Sequence, residues 1–304
     1  MAENYLQQQP EVIFEDQDIL VINKPAGWVT NKSQTWQEDE KTIQGWFEKR
    51  YEIEELIDEE NRNEKSEDWG KGKENWRELV PSDFQDEYGS VEEIFRERLG
   101  VAHRLDKDTS GILLLAKNPG AMVNLLAQFK KREVQKTYLA LVHGRLGLES
   151  DRINLPMGRK ASNRMKWTVR ADGKPAVTDY VVKRKWLGIQ VERLLADLRA
   201  GRPKEKWTAK KINDLYQGFS LVECRPHTGR THQIRVHLTH LKHPIVGDEV
   251  YGSEKKTKLD KVWCPRQFLH ARELEFAHPR TGKLVKFLAE LPEELKAAEE
   301  MLVD

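Results

Sequence analysis

VAHRLDKDTSGILLLAK (Val101–Lys117) joins a polar, charge-rich loop to an unbroken apolar run. The run from Gly111 to Asn118 is short, Leu- and Ile-rich and bounded by polar residues, the pattern of a strand buried on both faces. Pro119 follows it and suits the first turn of a helix. Met122, Leu125, Leu126 and Phe129 then recur at i, i+3, i+4, i+7, so that helix lays one apolar face on the strand. Further out lie KTYLALVHG (Lys136–Gly144), RMKWTVRA, AVTDYVVKRKW and FSLVECRP, all rich in β-branched or aromatic residues. EVIFED and DILVINKP read as a strand pair near the start, closed by Pro25 and Gly27. Many strands with few helices between them imply an α+β fold built on a large mixed, mostly antiparallel sheet.

Two stretches interrupt that pattern. Residues 37–98 form an acid-rich insertion with a surface helix expected near Ile43 to Ile57, and residues 58–88 have the composition of the least ordered part of the chain. Residues 192–217 form a basic, partly helical insertion. We read the whole of 1–304 as a single catalytic domain carrying these two insertions. About a dozen residues precede the first strand, too few for an additional RNA-binding module.

The 304 residues suffice for a real core, and 9 Trp, 9 Phe and 7 Tyr argue against wholesale disorder. Cys224 and Cys264 form no CxxC pair, which speaks against a disulfide framework and for a reducing, cytoplasmic compartment. No stretch reaches the roughly 20 apolar residues of a membrane helix, and the opening segment lacks the basic and apolar regions of a signal peptide. Charge is unevenly spread. Residues 1–100 carry 12 basic and 26 acidic side chains, net −14, whereas residues 101–304 are net +15, an excess that 101–250 alone supplies. A polyanion meets its attractive field there, and nucleic acid is the first to consider.

Three groups of residues suggest chemistry. Asp106 sits in a polar loop at the entrance of the buried strand, with Arg104 before it and Thr109, Ser110 and Gly111 after it. A carboxylate so placed suits nucleophilic or acid–base work, although capping a loop is the commoner use of an Asp. HTGRTHQIRVHLTHLKHPIVGDEVYG holds His227, His232, His237, His240 and His243 within 17 residues. Their spacings of 5, 5, 3 and 3 do not match an HExxH helix, and no Cys or acid falls among them, so hydrogen bonds to backbone or contacts to RNA are favoured over a metal. Thr231 to Leu241 reads as a helix with Ile234, Leu238 and Leu241 on one face. Arg235, beside Ile234, stands at the edge of that face, where a guanidinium suits pairing with a buried carboxylate. Tyr138 alternates with Ala140 along its strand, a position that serves a core or a base-stacking platform.

HRLDKDTSG, KTYLALVHG, RPHTGRTHQIRVHL, HPIVGDEVYG and FLHARELEFAHPRTG, in that order, resemble the motif series of the RluA-type pseudouridine synthases, and INKPAG (Ile22–Gly27) resembles their opening motif. The likeness covers most of residues 12–290. It implies the pseudouridine-synthase core, a bent sheet flanked by helices with a central catalytic cleft; many such relatives carry an N-terminal S4 domain, and no S4 domain is expected here. It also implies an isomerase that converts uridine to pseudouridine in rRNA or tRNA, a reaction that requires no cofactor or metal; nothing in the sequence demands more than a monomer. Asp106 is then the catalytic nucleophile, Tyr138 packs on the target base, and Arg235 pairs with Asp106. Arg104 occupies the space the flipped uridine leaves, and Arg230 and His232 are RNA contacts. Attack at C6, attack at C1′ and loss of the C2′ proton all remain open. The same fold without turnover, an RNA-binding or ribosome-assembly factor, is the alternative from another class; a zinc hydrolase built on the histidines is a third. WVTNKSQTW after INKPAG departs from the family pattern at the cleft rim.

Overall fold

A computed structural model describes residues 7–32, 41–51, 76–85, 89–201 and 207–304. Residues 58–75 and 86–88 of the stretch expected to be least ordered lie outside these, as do Lys204 and Lys206 of the basic insertion. By contacts the described residues divide into an N-terminal unit (from residue 7 to Gln135, with Glu273–Ala289) and a C-terminal unit (Lys136–Arg272, with Glu290–Asp304).

In the N-terminal unit, β1 (Glu11–Glu15), β2 (Ile19–Lys24) and β3 (Ser110–Ala116) form an antiparallel ladder with Ile22 opposite Leu113 and Lys24 opposite Gly111. Every residue of β3 is buried, as its continuous apolar run requires. Asn118 ends that strand rather than extending it, because its side chain accepts the Ala121 N–H at 2.8 Å and caps α3 (Pro119–Lys131). Met122 and Leu125 of α3 are fully buried. Glu273–Ala277, the end of β11 (Leu269–Ala277), pairs antiparallel with β12 (Leu284–Leu288).

The acid-rich stretch is not merely appended. The helix expected over 43–57 is α1 (Ile43–Arg50), and it is no surface helix: Ile43, Gln44, Phe47 and Glu48 are buried. Trp76 and Leu79 are buried in a short 3-10 turn, and α2 (Val91–Arg98) opens with a Ser90–Glu93 capping box and buries Ile94 and Phe95. The described ends of the insertion therefore contribute to the core of their unit.

In the C-terminal unit, β4 (Gln135–His143), β10 (Phe219–Pro226), β8 (Val177–Trp186) and β5 (Ser150–Asn154) follow one another in an antiparallel sheet. A hairpin of β6 (Met157–Lys160) and β7 (Asn163–Val169) and a short pair of β9 (Gly188–Ile189) with β13 (Leu302–Val303) complete the strands described for this unit. The helices here are α4 (Val191–Gly201), α5 (Ala209–Leu215), α6 (Gln233–His240), α7 (Glu254–Asp260) and α8 (Glu293–Glu299). Leu194, Leu195 and Leu198 of α4 and Ile212 of α5 join one buried cluster with β4 and β10, so the basic insertion has a structural face. Among the described residues the strand ladders of both units are antiparallel, in keeping with the expected α+β class.

Candidate active site

Asp106 is half-buried in the N-terminal unit, in the turn between Leu105 and Ser110. Its carbonyl accepts the Thr109 N–H at 3.1 Å, which closes the turn. What holds this turn is the INKPAG segment. Lys24 is wholly buried, and its ammonium donates to the carbonyls of Pro25 (3.0 Å), Trp28 (2.8 Å) and Lys107 (3.0 Å). Gly27 N–H donates to the same Lys107 carbonyl at 2.9 Å. Thr30 grips the residue on the other side of Asp106: its hydroxyl donates to Leu105 O at 2.8 Å and accepts Leu105 N–H at 3.2 Å. Backbone groups immediately before and after Asp106 are thus tied down by two buried side chains. Arg104 is exposed.

Tyr138 and Arg235 belong to the C-terminal unit. Tyr138 is half-buried on β4 opposite Cys224 of β10 and packs against the core cluster. Lys136 lies two positions earlier, on the same face of the strand, and burial pushes its ammonium pKa down. Arg235 is buried in α6, as its place beside Ile234 suggested, and it meets a buried carboxylate. That carboxylate is Asp248: Arg235 Nε and Nη2 donate to its two oxygens at 2.7 and 2.9 Å. Asp248 Oδ1 also accepts the N–H groups of Val250 and Tyr251 at 2.9 and 3.0 Å. The Arg235 guanidinium lies 5.1 Å from the centre of the Tyr251 ring, a cation–π contact on top of the bidentate pair.

The residues around α6 explain why HTGRTHQIR folds as it does. Thr228 Oγ1 donates to Gln233 Oε1 at 2.6 Å, and Gln233 Nε2 donates to Val177 O and Thr178 Oγ1 at 2.9 Å each. The loop is thereby stitched to β8. Arg230 Nε donates to the Pro175 carbonyl at 3.1 Å. His232, at the helix entrance, has φ +57°, in the left-handed region that a side chain adopts only at a cost; its Nδ1 lies 2.9 Å from the Tyr251 hydroxyl.

Three of the other four histidines of the motif are committed to hydrogen bonds, and His240 is exposed. His237 is fully buried between Thr178 Oγ1 (2.9 Å) and Leu155 O (3.1 Å), and burial lowers its pKa. His227 faces Asp179 at 2.8 Å, and His243 faces His143 O at 2.8 Å. Among the described residues, the metal-ligand types that do gather are Asp16, Asp18 and His278, far from this motif in sequence. There Asp16 meets His278 at 2.7 Å and Asp18 is gripped by Arg280 at 2.6 and 2.8 Å.

Lys24, Thr30 and Asp248 were not singled out by sequence reasoning. INKPAG and HPIVGDEVYG mark their neighbourhoods, but a lysine bound to carbonyls or an aspartate bound to an arginine 13 residues away leaves no periodic trace.

These two assemblies, an aspartate turn locked by buried donors and an arginine locked by a buried acid, lie within the stretch over which the chain matches known proteins. A family model described as RNA pseudouridylate synthase matches residues 18–240. An uncharacterised RNA pseudouridine synthase of Bacillus subtilis (strain 168) is 39% identical over 198 residues, 65% of this chain and 54% of that protein. The ribosomal large subunit pseudouridine synthase D of Zymomonas mobilis is 32% identical over 309 residues, 99% of this chain and 76% of that protein. In fold, the chain is similar to human RNA pseudouridylate synthase domain containing 1, with a TM-score of 0.56 at 23% identity over 95% of this chain and 87% of that one. The chain belongs to the RNA pseudouridylate synthase family. It spans about half the length, 54%, of the Bacillus relative.

Proposed function

We propose that this protein isomerises uridine to pseudouridine in RNA, with ribosomal RNA as its substrate class and Asp106 as the nucleophile. The observation that carries this reading is the immobilised Asp106 turn, with Lys24 and Thr30 bonded to the residues on either side. A nucleophile held by buried donors needs little reorganisation when a base arrives. Ribosomal RNA is favoured by the likeness to the Zymomonas ribosomal large subunit pseudouridine synthase D.

The roles follow residue by residue. The target uridine leaves its stack at a cost of a few kcal/mol, which stacking on Tyr138 and phosphate contacts from the basic segment offset. Arg104 fills the space it vacates, and Arg230 and His232 contact the strand. Arg235 stabilises the ionised form of Asp106, since a neighbouring cation favours the carboxylate. Nε and Nη2 of Arg235 are held by Asp248. The glycosidic bond breaks, the uracil turns, and a bond re-forms through C5 with nothing gained from solution, so the reaction calls for no cofactor or metal. We assign it to a monomer in the cytoplasm; among the described residues no helix is long and apolar enough to cross a membrane.

The test is chemical mapping of pseudouridine in transcribed 23S rRNA and tRNA after incubation with wild-type protein or Asp106→Asn. New pseudouridine with the wild type alone establishes reaction, nucleophile and RNA class together. Turnover retained by Asp106→Asn removes Asp106 from its role.

A further inference from the structure

The C-terminal unit contains a cavity of about 670 Å³ whose lining includes Arg145, Lys185, Lys242, Lys256, His243 and His143, and no acid. Lys185 meets Glu149 at 2.5 Å. Among the described residues no carboxylate lies within ion-pair distance of Arg145, Lys242 or Lys256. Three cations converging on a concave, acid-free wall repel one another unless an anion joins them.

The backbone under this wall is built for close approach. Gly144 and Gly218 have φ of +80° and +86°, and Gly144 N–H donates to Gly218 O at 2.8 Å. A Cβ on Gly144 would stand 3.1 Å from His243 Nδ1, and one on Gly218 would stand 2.9 Å from Arg145 Cγ. The two glycines therefore let the His243 ring and the Arg145 stem rest directly on the main chain. His143, 4% exposed, turns Nε2 to Asp260 and leaves Nδ1 buried without a hydrogen-bond partner. A buried polar atom of this kind calls for an explanation.

Lys242 supplies an independent observation. It has φ +69° and ends α6 in a Schellman motif, with His243 N–H bonded to Leu238 O (3.0 Å) and Lys242 N–H to Thr239 O (2.9 Å). That left-handed position belongs by preference to glycine, so the chain keeps a lysine where it is strained, at the rim of a cationic cavity.

We infer that this cavity binds a backbone phosphate of the substrate RNA, at a nucleotide flanking the target uridine. The inference rests on RNA being the substrate. His143 is five residues along β4 from Tyr138, about 17 Å at the rise of a strand, which puts the cavity beyond the target nucleotide itself. All of its lining except Lys256 also lies within the segment 101–250 that holds the positive excess of the chain.

The experiment measures Kd for transcribed 23S rRNA against salt concentration, with Tm alongside, for the wild type, Lys242→Gly and Arg145→Gln/Lys256→Gln. Lys242→Gly is expected to hold or raise Tm while weakening RNA binding about fivefold and lowering the salt slope by about 0.7 to 0.9, one phosphate contact. The double variant is expected to weaken binding more than tenfold and to lower the slope by the same amount, about 0.7 to 0.9, the one phosphate contact of the cavity. Unchanged affinity and slope in both variants overturn the inference. A second arm titrates inorganic phosphate by calorimetry: binding that depends on Arg145 and Lys256, with the RNA slope unmoved, makes the cavity a free-anion site and also overturns it. Should the wild type bind RNA with the expected slope changes yet form no pseudouridine, the cavity assignment stands and the isomerase reading alone fails.

Discussion

Lys24 and Asp248 do at single positions what the fold needs near its chemistry. Lys24 carries its charge into a fully buried site because three carbonyls receive it, one of them the Lys107 carbonyl beside Asp106. Replacing it with Met leaves the Pro25 and Trp28 carbonyls without that donor, at about 1–3 kcal/mol each, while the Lys107 carbonyl keeps only the Gly27 N–H. Lys24→Met is expected to lower Tm and, in single-turnover pseudouridine formation, to slow the chemical step about 10- to 100-fold as Asp106 loses its fixed position. RNA Kd at fixed salt should not move, and a loss confined to Kd would contradict the positioning role. Asp248 acts on Arg235 in the same way. Removing one partner of a buried ion pair costs about 3–5 kcal/mol, so Asp248→Ala should unfold at markedly lower denaturant. Asp248→Asn keeps acceptors for the Val250 and Tyr251 N–H groups, and it should retain more stability while the single-turnover rate still falls. Equal rates in Asp248→Asn and wild type would show that Arg235 needs no such partner. Arg235 was legible in sequence as a guanidinium suited to a buried acid because its place on the helix face is local information. The acid itself was not, since Asp248 reaches Arg235 through a loop whose path only the fold sets.

At the level of elements, the strands and α3 could be read from apolar runs and from Pro119, because burial on β3 and the Asn118 cap are written in consecutive residues. The two insertions were harder. Their charge dominates their composition, and a few apolar residues at helical spacing carry the packing: Leu194, Leu195 and Leu198 on α4, Ile43 and Phe47 on α1. Charged residues on the opposite face of such a helix say nothing about how much the apolar face contributes. The two faces of the 192–217 stretch should separate by mutation. Leu198→Ala is expected to cost about 2–5 kcal/mol in urea unfolding. Lys210 and Lys211 are exposed beside the buried Ile212, so Lys210→Glu/Lys211→Glu should leave the urea midpoint in place and flatten the salt dependence of RNA binding. An unaltered salt slope would place the RNA away from α5.

Across the whole molecule the charge asymmetry, −14 in residues 1–100 against +15 in the remainder, serves two ends. The positive part attracts a polyanion, and the acidic part must be kept from repelling itself by pairing with cations. Glu15 shows how: desolvation raises its pKa, but hydrogen bonds from Lys117, Tyr51 and Arg50 outweigh that and bring it down to about 2. Asp18 follows the same pattern, with burial opposed and exceeded by Arg280 and Asn118. Both carboxylates are thus easier to ionise in the folded chain than in the unfolded one. Their contribution to stability is fully present above the ordinary carboxylate range, near pH 4.5 for Glu15, and is lost as pH falls toward 2. Denaturant midpoints measured from pH 5 to pH 2 should therefore fall steadily for the wild type. Glu15→Gln should start lower at pH 5 and fall less over the same window, because it has no proton to take up there. Parallel curves for the two proteins would mean that Glu15 is no better paired in the folded state than in the unfolded chain, and that solvent and counterions, rather than Lys117 and Arg50, keep the acidic half in place.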